Sequence, residues 1–217
     1  RHINEEHDQG GPHAARPLML RVGLTGGIAT GKTTVGRMFV ELGCHLIDSD
    51  RITHQLFEPG QAVHTGVVRA FGERVVAEDG SIDRKVLSEI VFNDPEARTK
   101  LNSIVHPAVV QKQRDWLTEI ETKDPGGIAI VDAALMIEAG TYKNYDKVIV
   151  VSCSTEVQKR RLRDRSGLSE QQIEARIRSQ MPMEEKVKHA DFVIDNSGTR
   201  QQTFRQAATI MQELLKR

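Results

Sequence analysis

Residues 24–34, LTGGIATGKTT, place three glycines and one lysine between an apolar run and a stretch with helical spacing. Within them, Gly26-Gly27-Ile28-Ala29-Thr30-Gly31-Lys32-Thr33 matches G-x-x-x-x-G-K-[ST] in full. Glycines let successive backbone N–H groups turn inward without Cβ clashes and so form a nest for an anion. A helix starting at the nest adds the partial positive charge of its N-terminus. Lys32 can then reach the β- and γ-phosphates of a nucleotide, while the Thr33 hydroxyl ligates Mg²⁺. The pattern predicts a cradle of Gly26, Gly27, Ala29, Thr30, Gly31, Lys32 and Thr33, with Thr34 beside them as the second residue of the helix. The competing reading is a glycine-rich turn with a surface lysine, which leaves the strand before and the helix after unexplained. An exposed cradle lysine supports little packing, so Lys32→Ala is expected to spare the fold.

Working outward, the pattern is strand, helix, strand. LRVGLTG is a short β-rich run, and KTTVGRMFVELG carries Val35, Met38, Phe39 and Leu42 at helical spacing before Gly43 stops it. CHLIDSD, GGIAIVDAAL, DKVIVVSCS and ADFVIDNSG are four further apolar runs, and a helix over about 199–216 closes the chain. Strands alternating with helices predict a parallel sheet covered on both faces. Residues 58–123 break this rhythm with helical spacing and no convincing strand, as an insert between the second and third strands. A second polar helical stretch, about 154–182, follows the fourth strand.

Composition narrows the function classes. Lys+Arg and Asp+Glu number 30 each, which argues against bulk electrostatic binding of nucleic acid or anionic membrane. No stretch approaches the ~18 consecutive apolar residues of a membrane span. Cys44 and Cys153 lack metal-ligand spacing and read as buried free thiols in a reducing compartment. Residues 1–18 are polar, with Gly10-Gly11-Pro12, and read as a flexible extension; Met19 is a plausible start, and His2, His7 and His13 carry no functional weight.

A cradle does not say what receives the phosphate. Asp48 and Asp50 stand at the end of the second strand, where open α/β sheets place ligands. As alternate strand residues they share a face, with Ser49 opposite. A carboxylate there can accept a hydroxyl proton and orient the oxygen in line with the γ-phosphate. Asp50 is the stronger candidate; the alternative is a helix N-cap before RITHQLF. Asp132 ends the third strand, where an acid orders the Mg²⁺ water shell, unless it merely caps the strand. Glu138 is a weaker candidate nearby.

LTGGIATGKTTV, LIDSDRITHQ, FGERVVAEDGSIDRKVLSEIVF, LNSIVHPAV and ADFVIDNSG occur in the order and spacing of dephospho-CoA kinases, which the chain resembles from about Leu20 onward. The glycine loop is shared by many nucleotide-binding families; the FG…DG.IDR..L…VF block followed by HP is far more specific. The resemblance implies an α/β fold of the P-loop NTPase, nucleotide-kinase-like type: three layers, a five-stranded parallel sheet, a helical insert and a helical lid. It implies a cytoplasmic enzyme using Mg²⁺ and ATP to phosphorylate the ribose 3′-hydroxyl of dephospho-CoA, the last step of coenzyme A synthesis. By the same likeness Asp50 is the general base, residues 58–123 the CoA-binding subdomain and residues 154–182 the lid. His54, Arg84 and His106 take positions that line the acceptor site. His106-Pro107 can instead be a helix-breaking turn with a satisfied core imidazole, and Arg84 can pair with neighbouring acids. The chain departs from the family at Asp132-Ala133-Ala134-Leu135, where proline and two leucines are usual.

Arg160, Arg161, Arg163 and Arg165 crowd six residues, with Arg176 and Arg178 beyond. Such a run is ordinarily a solvated helix face. A guanidinium can also clamp phosphoryl oxygens bidentately, and a closing segment excludes water. Arg161 and Arg165 match the family pattern one helical turn apart and are the expected clamps, with Gly167 and Ser169 as break and N-cap between two lid helices. Asn196 sits where the family places adenine, or is part of a plain turn. The remaining alternatives are another small-molecule kinase of this architecture and a nucleotide-dependent switch; the absence of Asn-Lys-x-Asp weakens a GTPase. Oligomeric state is not fixed by these patterns, with the monomer favoured.

Overall fold

A computed structural model describes residues 18–216. The extension expected over residues 1–18 lies, Leu18 apart, outside the described residues. Five parallel strands, β1 (Leu20–Gly26), β2 (His45–Asp48), β3 (Ile128–Asp132), β4 (Lys147–Ser152) and β5 (Phe192–Asp195), form one sheet in the order β2-β3-β1-β4-β5. β1 is central, and the chain leaves it toward β2 on one side and reaches β4 on the other. That reversal opens a crevice at the carboxyl ends, where the glycine loop lies.

Successive strand residues face opposite layers. Val22, Leu24, Ile130, Ile149 and Val151 are buried against α1 (Lys32–Glu41) and α9 (Arg200–Leu215) through Val35, Phe39, Ala207 and Ile210. On the other face, Ala129 and Val131 meet Leu117 and Ile120 of α5 (Pro95–Lys123), while Val148 and Val150 meet Met183 and Val187 of α8 (Met183–Val187). These contacts make the three layers.

Between β2 and β3 the chain is helical from Ser49 onward: α2 (Ser49–Leu56), α3 (Ala62–Phe71), α4 (Arg84–Asn93) and α5, with one isolated bridge, Val76 to Ile82. Their apolar faces close a separate core of Ile52, Leu56, Val63, Val67, Phe71, Leu87 and Val109. Ile47 at the end of β2 touches both this core and the α5 side of the sheet. His106-Pro107 does not break the chain: Pro107 lies inside α5, a 29-residue helix begun by Asp94 and Pro95. Helices α6 (Thr155–Ser166) and α7 (Glu170–Arg178) are separated at Gly167, φ 59°, and α7 starts in a capping box between Ser169 and Gln172. The short α8 has no counterpart in the sequence reading.

Two details of β2 differ from expectation. The strand ends at Asp48, so Asp50 is helical and shares no strand face with it. Asp48, rather than Asp50, is the N-cap, accepting from the N–H groups of Asp50 at 2.8 Å and Arg51 at 3.3 Å. The chain turns into α2 there because the Asp48 carboxylate satisfies N–H groups that open the helix.

Candidate active site

The glycine loop is bound on its outer side by residues far along the chain. The Ile28 carbonyl accepts from Gln158 Nε2 at 2.7 Å, and the Ile28 N–H donates to Gln180 Oε1 at 2.7 Å. The Thr30 carbonyl accepts from Asn196 Nδ2 at 2.8 Å and Arg161 Nη1 at 3.0 Å. Arg161 also donates to the carbonyls of Ala29 at 3.4 Å and Asn196 at 2.8 Å. Thr30, almost fully buried, turns its hydroxyl back to the Gly27 carbonyl at 2.9 Å. With the carbonyls of residues 28–30 spent outward, nothing among the described residues accepts from the N–H groups of Ala29, Gly31, Lys32 and Thr33. Those four donors, at a helix N-terminus, constitute the anion nest. Gly31 at φ 91° and Ala29 at φ 57° bend the loop into this shape.

A cavity of about 840 Å³ opens over the nest, bordered by Lys32, Thr33, Asp50, Ala134, Arg165 and Asn196 among others. Gly27, Ala29, Gly31, Thr34 and Arg161 also border it, so most of the expected cradle residues meet there. Thr34 is the third residue of α1, not the second. Gly26 is buried at the end of β1. Asp50 and Ala134 also border a neighbouring cavity of about 170 Å³, which His106 and Gln113 line. Thr53 joins that cavity to a third of about 430 Å³, which Arg84, Phe57 and Val105 line. Arg84 Nη1 stands 3.4 Å from His54 Nδ1 at the same end. The three cavities therefore run in series, with Asp50 at the first junction.

Lys32 is less exposed than the sequence predicts for a cradle lysine. Its side chain is 12% exposed and forms an ion pair with Asp132, which is 2% exposed. Burial lowers the affinity of Lys32 for its proton, Asp50 and Asp48 raise it, and Lys186 lowers it further. The direct contact with Asp132 favours the ammonium form. The imidazole of His106 is exposed rather than a core group, and Arg84 makes no ion pair with an acid among the described residues. Asn196 is buried and its amide is spent: Nδ2 on the loop, Oδ1 on Thr203 Oγ1 at 2.9 Å. Of the arginine cluster, Arg163 pairs with Glu170 and Arg178 with Glu174, each at 2.8 Å, as a solvated face does. Glu138 turns to Lys186 at 2.8 Å. Cys44 is buried, but Cys153 is only partly so.

The family model for dephospho-CoA kinase (CoaE) matches residues 20–202. The chain belongs to the dephospho-CoA kinase family. The dephospho-CoA kinase of Aquifex aeolicus is 46% identical over 198 residues, covering 91% of this chain and 99% of that protein. A solved Thermus thermophilus protein, TT1252, superposes with TM-score 0.78 at 31% identity, over 91% of this chain and 98% of that one. The dephospho-CoA kinase from Campylobacter jejuni gives 0.67 at 30%, over 90% and 97%.

As a member of this kinase family the chain is an ATP-dependent phosphotransferase on a P-loop kinase fold. No helix among the described residues is long and apolar enough to cross a membrane. The oxygen donors bordering the nest cavity are the hydroxyls of Thr33 and Thr34 and the carboxylates of Asp50 and Asp164, with Asp132 buried behind them on Lys32 and no cluster of three or more metal-ligating side chains among the described residues. That sparse oxygen set fits Mg²⁺ carried largely by phosphate and water. Motif reading missed Gln158 and Gln180, which hold the glycine loop directly, Thr203, which braces Asn196, and Lys186, which holds the Ala134 carbonyl after β3. Each sits in a polar helical stretch with no local sign of its distant partner.

Proposed function

We propose that the chain transfers the γ-phosphoryl group of ATP to the ribose 3′-hydroxyl of dephospho-CoA, giving CoA and ADP. The triphosphate lies against the N–H groups of Ala29, Gly31, Lys32 and Thr33. The Lys32 ammonium bridges toward the β- and γ-oxygens, with Asp132 holding it in place. Thr33, with Asp132 acting through the water shell, would hold Mg²⁺, which would supply neutralisation of the charge developing on the phosphates. Asp50 accepts the proton of the attacking hydroxyl as its oxygen bonds phosphorus and the bond to the β–γ bridging oxygen breaks.

The observation that carries this reading is the place of Asp50, at the border of the nest cavity and the next cavity along. Its carboxylate stands between a site for the donor and a chain of cavities suited to a long acceptor. His106 lines the nearer acceptor cavity, and Arg84 with His54 offers cationic and imidazole groups to an acceptor diphosphate farther on. Arg161, which donates to the carbonyls of Ala29, Thr30 and Asn196, acts in this reading by shaping the nest. Arg165, bordering the same cavity, is the clamp on the triphosphate.

A coupled assay for ADP release with a panel of acceptors tests the function. Turnover is expected with dephospho-CoA and not with nucleoside monophosphates; the reverse pattern overturns it. Asp50→Asn is expected to lower kcat by roughly 10²-fold or more, with a smaller change in KM for ATP. A near-normal kcat removes Asp50 as the base.

A further inference from the structure

Among the described residues, only two charged side chains are buried, Asp132 and Lys186. Asp132 is accounted for by Lys32. Lys186, on α8 just beyond the lid, is fully enclosed. Its Nζ donates to Glu138 Oε1 at 2.8 Å and to the Ala134 carbonyl at 3.0 Å. The same Ala134 carbonyl accepts from Thr25 Oγ1 of β1 at 3.1 Å. Glu138 Oε1 also accepts from the Met181 N–H at 3.3 Å. One residue earlier, Gln180 holds the Ile28 N–H of the glycine loop.

Residues 180–186 thus form a strut with one end on the phosphate nest and the other on the loop after β3. That loop begins at Asp132, the partner of Lys32. Its Ala134 borders both the nest cavity and the cavity beside Asp50. Replacing a buried ion pair by apolar residues is often neutral or stabilising, so stability alone does not call for a fully enclosed ammonium here.

We propose that Lys186, with Glu138 as its counter-ion, is a positioning residue for phosphoryl transfer: it fixes Ala134, and so the wall shared by donor and acceptor sites. The inference rests on the phosphotransfer reading given above. Lys186 touches no reacting atom; it sets where the chain leaves Asp132 and where the wall stands relative to Asp50. Loss of the pair therefore degrades alignment in the transition state more than binding of either substrate.

The test compares wild type, Lys186→Met and the double variant Lys186→Met/Glu138→Leu in steady-state kinetics with ATP and dephospho-CoA, alongside thermal melts. The double variant leaves no buried unpaired charge and is expected to melt within a few degrees of wild type. Its kcat is expected to fall at least tenfold, with both KM values within about threefold. A kcat within threefold of wild type overturns the proposal. So does a loss of kcat that tracks a loss of folded protein at the assay temperature, or a rise in KM alone. Wild-type turnover is measured first: no turnover of dephospho-CoA, with turnover of another acceptor, overturns the proposed substrate instead. The Lys186 comparison is then run on that acceptor.

Discussion

Gly31→Ala tests how the cradle is built. Gly31 has φ 91°, and a Cβ placed there overlaps Asn196 Nδ2, with Arg161 Nη1 also near. The left-handed backbone alone costs a non-glycine residue roughly 1–2 kcal/mol. Asn196 cannot move without giving up its bonds to the Thr30 carbonyl, 2.8 Å, and from Thr203 Oγ1, 2.9 Å. Those contribute about 1 kcal/mol each, and a buried group left unpaired adds about 1–3 kcal/mol. The sum is roughly 4–7 kcal/mol, or about 12–21 °C in Tm at about 3 °C per kcal/mol for a chain of this size. Gly43→Ala is the control: φ is 97°, but nothing lies within 4 Å of the added Cβ. It should lose only the backbone share, about 3–6 °C. Calorimetric melts read the stability difference and initial rates read KM for ATP, which should rise in Gly31→Ala because the nest donors are re-aimed. Equal melting shifts in the two variants, or an unchanged KM for ATP in Gly31→Ala, would show that Asn196 does not brace the loop.

Two further predictions concern buried ionisable groups. Lys32→Ala removes the partner of an almost fully buried Asp132, so it should lose about 3–5 kcal/mol in chemical denaturation as well as turnover. Adding Asp132→Asn should recover most of that stability and none of the activity; wild-type stability in Lys32→Ala refutes the pairing. Cys44 lies in the core, where burial pushes its thiol from 9.0 up to about 12. The folded thiol stays protonated while the unfolded chain releases its proton. Stability present below about pH 9 is therefore lost as pH rises, by up to about 1.4 kcal/mol per pH unit. Tyr145, moved by burial from 10.0 to about 12, adds its own loss later. Burial also raises the Cys153 thiol, so urea titrations between pH 8 and 10 should show a slope that Cys44→Ala reduces without removing; an unaltered slope refutes the assignment.

What the sequence disclosed follows from where each interaction's partner lies. The cradle was legible because its chemistry is local: glycine backbone, a helix start, and a lysine as the first helical residue. The sheet was legible because each strand is a short apolar run bounded by turns. Long-range facts were not. Lys32 reads as exposed until Asp132, 100 positions away, is set beside it. Gln158, Gln180 and Asn196 meet the glycine loop across 130, 152 and 166 positions, and an amide whose partner is backbone leaves no pattern. Pro107 looked like a break because proline removes one helical bond. The helix continues because α5 is held on both sides of that point, by Leu101 and Val109 in the insert core and by Leu117 and Ile120 against the sheet. Asp50 reads as the end of β2 beside Asp48 but is the second residue of α2, because Asp48 ends the strand and caps that helix. For Lys32 the deciding neighbour is supplied by the order β2-β3-β1-β4-β5. That order brings the end of β3 beside the glycine loop, and a charge found there is set by what faces it across the crevice rather than by what flanks it in the chain.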